Sequence, residues 1–261
     1  MGEKISEEEK ISPDILSRFS KMIYEVSGIY LNESKSYLIK NRFTKDFQEK
    51  NFSDWGSYLN YLESNKHSLK EFIINSITTT KTEFFREREH FDKLFDIIRS
   101  RPSSHYDIWS AAASKGHEPY SLSIFFEQLK RKGFIKDSRV LGSDINTDVL
   151  EIAKKGVYPQ YELMNVSHEL LKNYFLKGTG SFRGSFKVNY ESLPSIKFRQ
   201  YNLLLDQPFN HKFDIIFLRN VLIYFNAEDR QKVVKRLLPS LNPNGYLFVG
   251  LSESIDDGIN F

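Results

Sequence analysis

The sequence predicts an α/β fold: a parallel sheet with helices on both faces, a small antiparallel β insert, and an all-α N-terminal module ahead of both. Three observations predict it. Beyond about residue 100, short apolar runs alternate with segments of helical period, the pattern of strands joined by helical crossovers. Between Tyr158 and Leu193 that alternation breaks, and GTGSFRGSFKVNY sets glycines between alternating residues as a hairpin does. Before about residue 78, apolar residues recur only at helical spacing.

Residues 1–11 are charged and weakly apolar, and a disordered leader is expected there. SPDILSRF then supplies a Ser N-cap and a Pro at the first helical position. Ile15, Phe19, Ile23 and Val26 follow at helical spacing until Gly28 stops the helix. A second helix runs from about Ser34, with Ile39, Phe43 and Phe47 on one face and Lys35, Arg42 and Lys45 within one quadrant of another. SDW caps a third near Ser53, carrying Trp55, Tyr58, Leu59 and Leu62, and a fourth spans Leu69 to Ile77. Residues 12–77 therefore form one helical module, and 78–100 a threonine-rich linker that becomes an amphipathic helix through Phe84, Phe91, Leu94 and Ile98. From 101 to 261 the predicted order is a strand from Asp107, helix Pro119–Lys132, strand Arg139–Asp144, helix Thr147–Lys155, the insert at about 176–193, strand Ile196–Asn202, strand Phe213–Leu218, helix Ala227–Leu238 and strand Gly245–Gly250.

Composition narrows the function. With 37 basic and 34 acidic side chains, a net charge of +3 argues against a nucleic-acid partner. The most apolar stretch, Phe213 to Phe225, is short and interrupted by Asp214 and Arg219, below the roughly 20 residues a membrane span needs. No direct membrane insertion is expected. No cysteine is present, which excludes disulfides and thiolate chemistry and fits a cytoplasmic setting. The six histidines show no metal-binding spacing, so no metal site is expected.

The stretch DIWSAAASKGHEPYSLS, Asp107 to Ser123, organises the rest. An apolar run ends in small residues and a glycine before an acid, a proline and a helical pattern, the strand–loop–helix place where open α/β sheets hold nucleotide-like ligands. The loop lacks the spaced glycines of a dinucleotide fingerprint, and nothing matches GxxxxGKS or GxxxxGKT, so a ligand without phosphates is favoured. The next strand ends in Asp144, where a carboxylate can accept both hydroxyls of a ribose. An acid there serves as often as a helix cap or a solvated loop residue, and on this pattern alone the two readings stand level. His117 reads as a loop residue rather than a ligand or base.

Several motifs together resemble one family. TxTEFFRE (Thr80–Glu87), WSAAASKGHEPYS (Trp109–Ser121), GSDI (Gly142–Ile145), FLRNVLIYF (Phe217–Phe225) and GLSES (Gly250–Ser254) are similar to those of the chemotaxis receptor glutamate methyltransferases, the CheR family. The resemblance covers nearly the whole chain. It implies a Rossmann-like S-adenosylmethionine-dependent methyltransferase sheet at 101–261 and a receptor-recognition role for residues 12–77. It implies methylation of glutamate side chains on the cytoplasmic helices of chemoreceptors, giving 5-methyl esters and S-adenosylhomocysteine in sensory adaptation. The cofactor side is then Thr80, Thr82, Arg86, Ala112, Glu118, Asp144, Ile145, Asn202, Leu203, Arg219 and Asn220, with Arg86 and Tyr224 beside the transferred methyl and the acceptor carboxylate. Lys35, Arg42 and Lys45 form either a solvated face or a strip that meets the glutamate-rich receptor helices, and the two readings stand level. Lys177 would lie near the active-site entrance, and the insert could dock a receptor's C-terminal peptide. A monomeric, cytoplasmic protein recruited to membrane receptor arrays is implied.

Physical chemistry supports these roles separately. Transfer from a sulfonium to a carboxylate neutralises charge, so a site should exclude water and fix geometry rather than supply an acid or base. A guanidinium orients a carboxylate through a planar fork, and a Tyr hydroxyl adds a directed contact. The sequence departs from the family pattern at Thr80, where asparagine is frequent, at His117, where the first of two glutamates is frequent, and at Lys177, which replaces a frequent arginine. The family pattern also continues past GLSES into a turn and final strand; either a shortened chain or a sheet without that strand is expected, affecting stability more than chemistry. Two other readings stay open: methylation of another acceptor, such as a small carboxylic acid or a nucleic acid base, and a cofactor-binding module that docks on receptors without turnover. No base-methylation motif is present, which weakens the first.

Overall fold

The structure, a computed structural model, describes residues 11–31 and 36–255; the expected leader up to residue 10 and Lys35 lie outside them. The chain divides into two compact units, residues 1–79 with Tyr224–Asn226, and residues 80–223 with 227–261. Among the described residues no helix is long and apolar enough to cross a membrane.

The first unit is helical: α1 (Pro13–Ser27), α2 (Ser36–Glu49), α3 (Trp55–Ser64) and α4 (Lys70–Ile77). Ser12 caps α1 by accepting from the Ile15 N–H, and Gly28 closes it in the left-handed conformation, φ 78°. Asp54 caps α3 through the Ser57 N–H at 2.8 Å. The apolar faces meet in an aromatic core of Phe19, Phe43, Tyr58 and Trp55, all buried, with Phe47 stacked on Trp55 at 4.6 Å. Each such buried side chain contributes about 1.5–3 kcal/mol. Arg42 and Lys45 are exposed on α2, and Lys45 lies 3.8 Å from Glu49.

The second unit runs α5 (Glu89–Ser100), β1 (His105–Ala111), α6 (His117–Arg131), β2 (Asp137–Asp144), α7 (Thr147–Lys155), β3 (Val157–Pro159), α8 (His168–Tyr174), β4 (Phe175–Lys177), β5 (Ser185–Val188), β6 (Ser195–Gln200), β7 (Phe213–Leu218), α9 (Ala227–Leu237) and β8 (Leu241–Val249). Five strands form a parallel sheet in the order β6-β2-β1-β7-β8. Strands β3, β5 and β4 form a separate antiparallel sheet. Helices α5 and α6 bury Phe91, Leu94, Ile98, Leu122 and Phe126 against Ile108, Val140, Ile215 and Phe217 of the main sheet. Another face of α6, with Tyr120 and Ile124, packs on the insert through Tyr158, Tyr174, Phe175 and Val188.

Several elements differ from their predicted bounds. Phe84 is not helical. Its spacing to Phe91 fits a helix, but α5 starts only at Glu89, and Phe84 is fully buried instead against His117, Tyr158 and Phe175. Tertiary burial overrides the local period there. The antiparallel sheet takes in β3 and so begins before residue 176. Strand β8 starts at Leu241 because a bulge, with Asn244 at φ 64°, absorbs the NPNG turn inside it. His117 is not a loop residue: it is the first residue of α6 and fully buried.

Candidate active site

The strand order reverses at β1. From β1 the chain crosses to β2 and then β6 on one side, and returns to β7 and β8 on the other, which leaves a crevice at the carboxyl ends of β1 and β7. The register is level there: Ala111 pairs with Ser143 of β2 and with Leu218 of β7. Ala112 and Arg219, the residues just past β1 and β7, therefore lie level with Asp144, the last residue of β2, which still pairs with Gln200 of β6.

Arg219 is buried and joins the walls of the crevice. Its Nη1 donates to Glu118 Oε2 at 2.9 Å, and its Nη2 donates to the Arg86 carbonyl at 2.6 Å and to Glu87 Oε2 at 3.1 Å. Ser110 Oγ donates to the other Glu118 oxygen at 2.7 Å. Asn220 Nδ2 donates to Glu87 Oε1 at 3.0 Å, while the Asn220 N–H and the Gly250 N–H both donate to Glu253 Oε2, at 2.6 and 2.9 Å. Five non-glycine residues around the crevice, Phe85, Glu87, Ala112, Ser114 and Asn220, have φ between 48° and 69°. Each such conformation costs on the order of 1 kcal/mol or more and is held only where surroundings over-determine it. The bonds from Phe85 N to Ser121 Oγ, Ser114 N to Asp144 and Asn220 N to Glu253 do this here.

Asp144 faces the loop after β1. Its Oδ2 accepts from the Ser114 N–H at 2.8 Å and its Oδ1 from the Asn146 N–H at 2.9 Å, so it is a helix-entry acceptor and a wall of the crevice at once. Ser114 Oγ donates to the Thr80 carbonyl at 3.1 Å, which ties the threonine-rich segment, with half-buried Thr82, to that loop. The Ile145 carbonyl accepts from Gln200 Nε2. Gly116, at φ 90°, ends the loop; a Cβ there would meet Ala153 Cβ at 2.8 Å, so only glycine fits. Beyond β6, Asn202 and Leu203 are buried one strand over from Asp144, with Asn202 Oδ1 accepting from the Leu204 and Leu205 N–H groups.

Burial sets the electrostatics. It raises the Glu118 carboxyl above the ordinary range even though Arg219 and Ser110 oppose it, and it raises Asp144 against its backbone N–H donors. For Glu87 burial pulls upward too, but Asn220, Arg219 and the Leu251 N–H together hold it below the usual range. Burial pushes His117 down to about 4, despite Glu162 beside it.

The residues expected on the cofactor side thus gather at one end of the sheet. Arg86 reaches it by its backbone; its side chain is about one-third exposed (35%), with Nε 3.9 Å from Glu87 Oε1. Lys177 is exposed on β4 of the insert. Tyr224 ends a 3₁₀ turn, Leu222–Tyr224, and groups with the helical unit, its carbonyl accepting from the Tyr30 N–H at 3.1 Å. Sequence reasoning assigned nothing to Glu87, Ser110 or Glu253. Glu87 and Glu253 lay inside the quoted FFRE and GLSES motifs, which was a usable signal; Ser110 had none.

The crevice suits S-adenosylmethionine. Glu118 and Asp144 offer carboxylates for an ammonium and for ribose hydroxyls, and Arg219 Nε is a buried donor without a hydrogen-bond partner. Comparison with known proteins gives the same ligand. The family model described as CheR methyltransferase, SAM binding domain, matches residues 80–260, and the one described as CheR methyltransferase, all-alpha domain, matches residues 14–78. A chemotaxis protein methyltransferase of Escherichia coli is 41% identical over 91% of this chain and 83% of its own length. Proteins of the same name are 39% identical in Klebsiella aerogenes, over 91% of this chain and 82% of its own, and 38% identical in Salmonella typhimurium, over 92% and 83%.

Proposed function

The chain belongs to the CheR methyltransferase family, and from that premise we propose that it methylates glutamate side chains on the cytoplasmic helices of chemoreceptors, forming 5-methyl esters. The observation that carries the proposal is the crevice in which Glu118, Asp144 and Arg219 converge at the strand-order reversal, in a chain whose relatives are named chemotaxis protein methyltransferases.

S-adenosylmethionine, when bound, supplies an electrophilic methyl on a cationic sulfur. A glutamate acceptor is already ionised near neutral pH, so its oxygen attacks without a general base. The residues of the chain have three tasks. Glu118 takes the ammonium of the cofactor and Asp144 its ribose hydroxyls, while Thr80, Thr82, Ala112, Ile145, Asn202, Leu203, Arg219 and Asn220 complete the walls. Arg86, held loosely at its guanidinium, turns its planar fork to the acceptor carboxylate, and the Tyr224 hydroxyl adds a second directed contact. Closure of the walls excludes water, which otherwise stabilises the separated charges more than the transition state.

Recognition of the receptor falls to other surfaces. Exposed Arg42 and Lys45 of α2, with Lys35, attract glutamate-rich helices and raise the encounter rate. Lys177 and the insert, whose β3 and β4 are edge strands, hold a receptor's C-terminal peptide and raise the local concentration of the enzyme at receptor arrays. The protein acts as a cytoplasmic monomer.

The experiment is incubation of the purified chain with receptor-bearing membranes and methyl-labelled S-adenosylmethionine. Receptors should acquire label released as methanol by base, and Arg86→Ala should abolish it while the fold stays intact. Cofactor binding without base-labile label on receptors carrying unmodified glutamates overturns the assignment.

A further inference from the structure

The cofactor-side loop, Ala112 to Gly116, is tied on two sides by different parts of the unit. Towards the main sheet, the Ala113 N–H donates to the Ser143 carbonyl at 2.7 Å and the Ser114 N–H to Asp144. Towards the insert, the loop is held by the short stretch Tyr158–Glu162. Tyr158 OH donates to the Lys115 carbonyl at 2.6 Å, Lys115 Nζ donates to Glu162 Oε1 at 3.0 Å, and His117 Nε2 lies 2.9 Å from Glu162 Oε2. Glu162 thus grips the loop residue Lys115 with one oxygen and the first residue of α6 with the other. Its side chain is 16% exposed and that of His117 1%, so the arm to α6 is shielded from solvent, while the Lys115 side chain is 30% exposed.

We infer that Glu162 is a positioning residue for cofactor binding, a clamp from the insert that holds the Ala112–Gly116 loop and the start of α6 in their bound shape. The inference rests on the reading of that loop as the cofactor wall. The loop needs a clamp because two of its non-glycine residues, Ala112 and Ser114, have positive φ, at 69° and 48°, a shape that an untethered chain of these residues seldom keeps. Glu118 follows directly, so its carboxylate is placed by the same turn. A loop that keeps the competent shape in only one molecule of ten binds its ligand about tenfold more weakly, with no contact to the ligand changed. Glu162 reaches the loop and not the strand ends, so it acts on cofactor affinity rather than on the transfer step. It also makes the seating of the insert felt at the cofactor site.

The test uses the purified full chain, with S-adenosylhomocysteine binding measured by calorimetry and turnover measured at saturating S-adenosylmethionine. Glu162→Ala should raise Kd about tenfold and leave kcat within about twofold. Glu162→Gln, which keeps an acceptor for His117 but not the charge for Lys115, should fall between. Lys115→Met, which removes one arm of the grip without touching the core, should raise Kd by about threefold and decides the matter if Glu162→Ala unfolds. Asp144→Ala serves as the control for the loop itself. Unchanged Kd in the Glu162 and Lys115 variants, with a lowered Tm and with Asp144→Ala weakened, overturns the clamp alone. Unchanged Kd in all of them overturns the cofactor-wall reading and the clamp with it.

Discussion

The two ends of the central strands carry similar side chains arranged to opposite effect. At the carboxyl ends, Glu87, Glu118 and Arg219 form a bridge in which the arginine side chain is 2% exposed and both carboxylates are within hydrogen-bond reach of it. At the amino ends, Asp107 accepts from His105 Nε2 at 3.0 Å and lies 3.2 Å from His211 Nε2, with the His211 side chain 54% exposed. The chemistry of the groups does not separate the clusters; their place in the topology does. Strands that leave the sheet level with one another on either side of the order reversal must bury their polar ends against each other or against a ligand. At the opposite ends the Asp107 carboxylate is as shielded as Glu118, 16% exposed in both, but its partners His105 and His211 are 31% and 54% exposed, so water screens those pairs from the partner side.

The first way to break that contrast is to remove Arg219. Arg219→Ala leaves Glu87 and Glu118 partly buried beside each other without their cation, and breaking such a bridge costs about 3–5 kcal/mol. Urea unfolding without cofactor should show that loss. Adding Glu87→Gln and Glu118→Gln to the same chain should recover most of it, because the loss comes from stranded charge. A loss that the added glutamines do not recover would mean that packing of the arginine stem carries the effect.

The second prediction concerns pH and turns on His117. Its folded pKa of about 4 lies below the ordinary 6.5, so between those values the unfolded chain binds more protons than the folded one. Its contribution is complete above about pH 6.5 and is lost as pH falls towards 4, by at most roughly 3 kcal/mol. Glu118 and Asp144 act in the opposite sense: their raised carboxyls let the folded state take up protons first, so acid relieves them. The clean measurement is therefore a difference. The stability of the wild type minus that of His117→Gln should fall across pH 6.5 to 4, and a flat difference would show that His117 is solvated more than its burial implies.

Much of this was legible in the sequence, and the failures have physical causes. The alternation of strands and helices is a short-range signal, and it gave β1, β2, β6, β7 and their helices to within a few residues. The bounds slipped where caps and bulges decide them, as at Leu241. Phe84 failed because one aromatic at helical spacing carries no information about what it is buried against. In the site, Asp144 stands out because it ends a strand-like run, and Glu118 because it opens the helical pattern after the small-residue loop. Glu87 and Glu253 do not, since each acts through Arg219 or Asn220, and those partners are more than 30 residues away. Pairing of that kind appears only once the register of β1 and β7 is known.

The smallest expected effect sharpens the contrast most directly. His211→Ala removes one of the two imidazoles on Asp107 but leaves His105 on the other oxygen, so no buried carboxylate is stranded. The ring also packs edge-on to Phe213 at 5.0 Å, a contact made by a side chain that is more than half exposed. Exposed ion pairs and half-exposed rings contribute little, and the stability change should stay within about 0.5 kcal/mol. It should also shrink in high salt, and S-adenosylhomocysteine should bind with its wild-type Kd. A loss approaching that of Arg219→Ala, or a weakened Kd, would show that the amino-end cluster is coupled through β1 to the crevice, and the two ends would then have to be treated as one network.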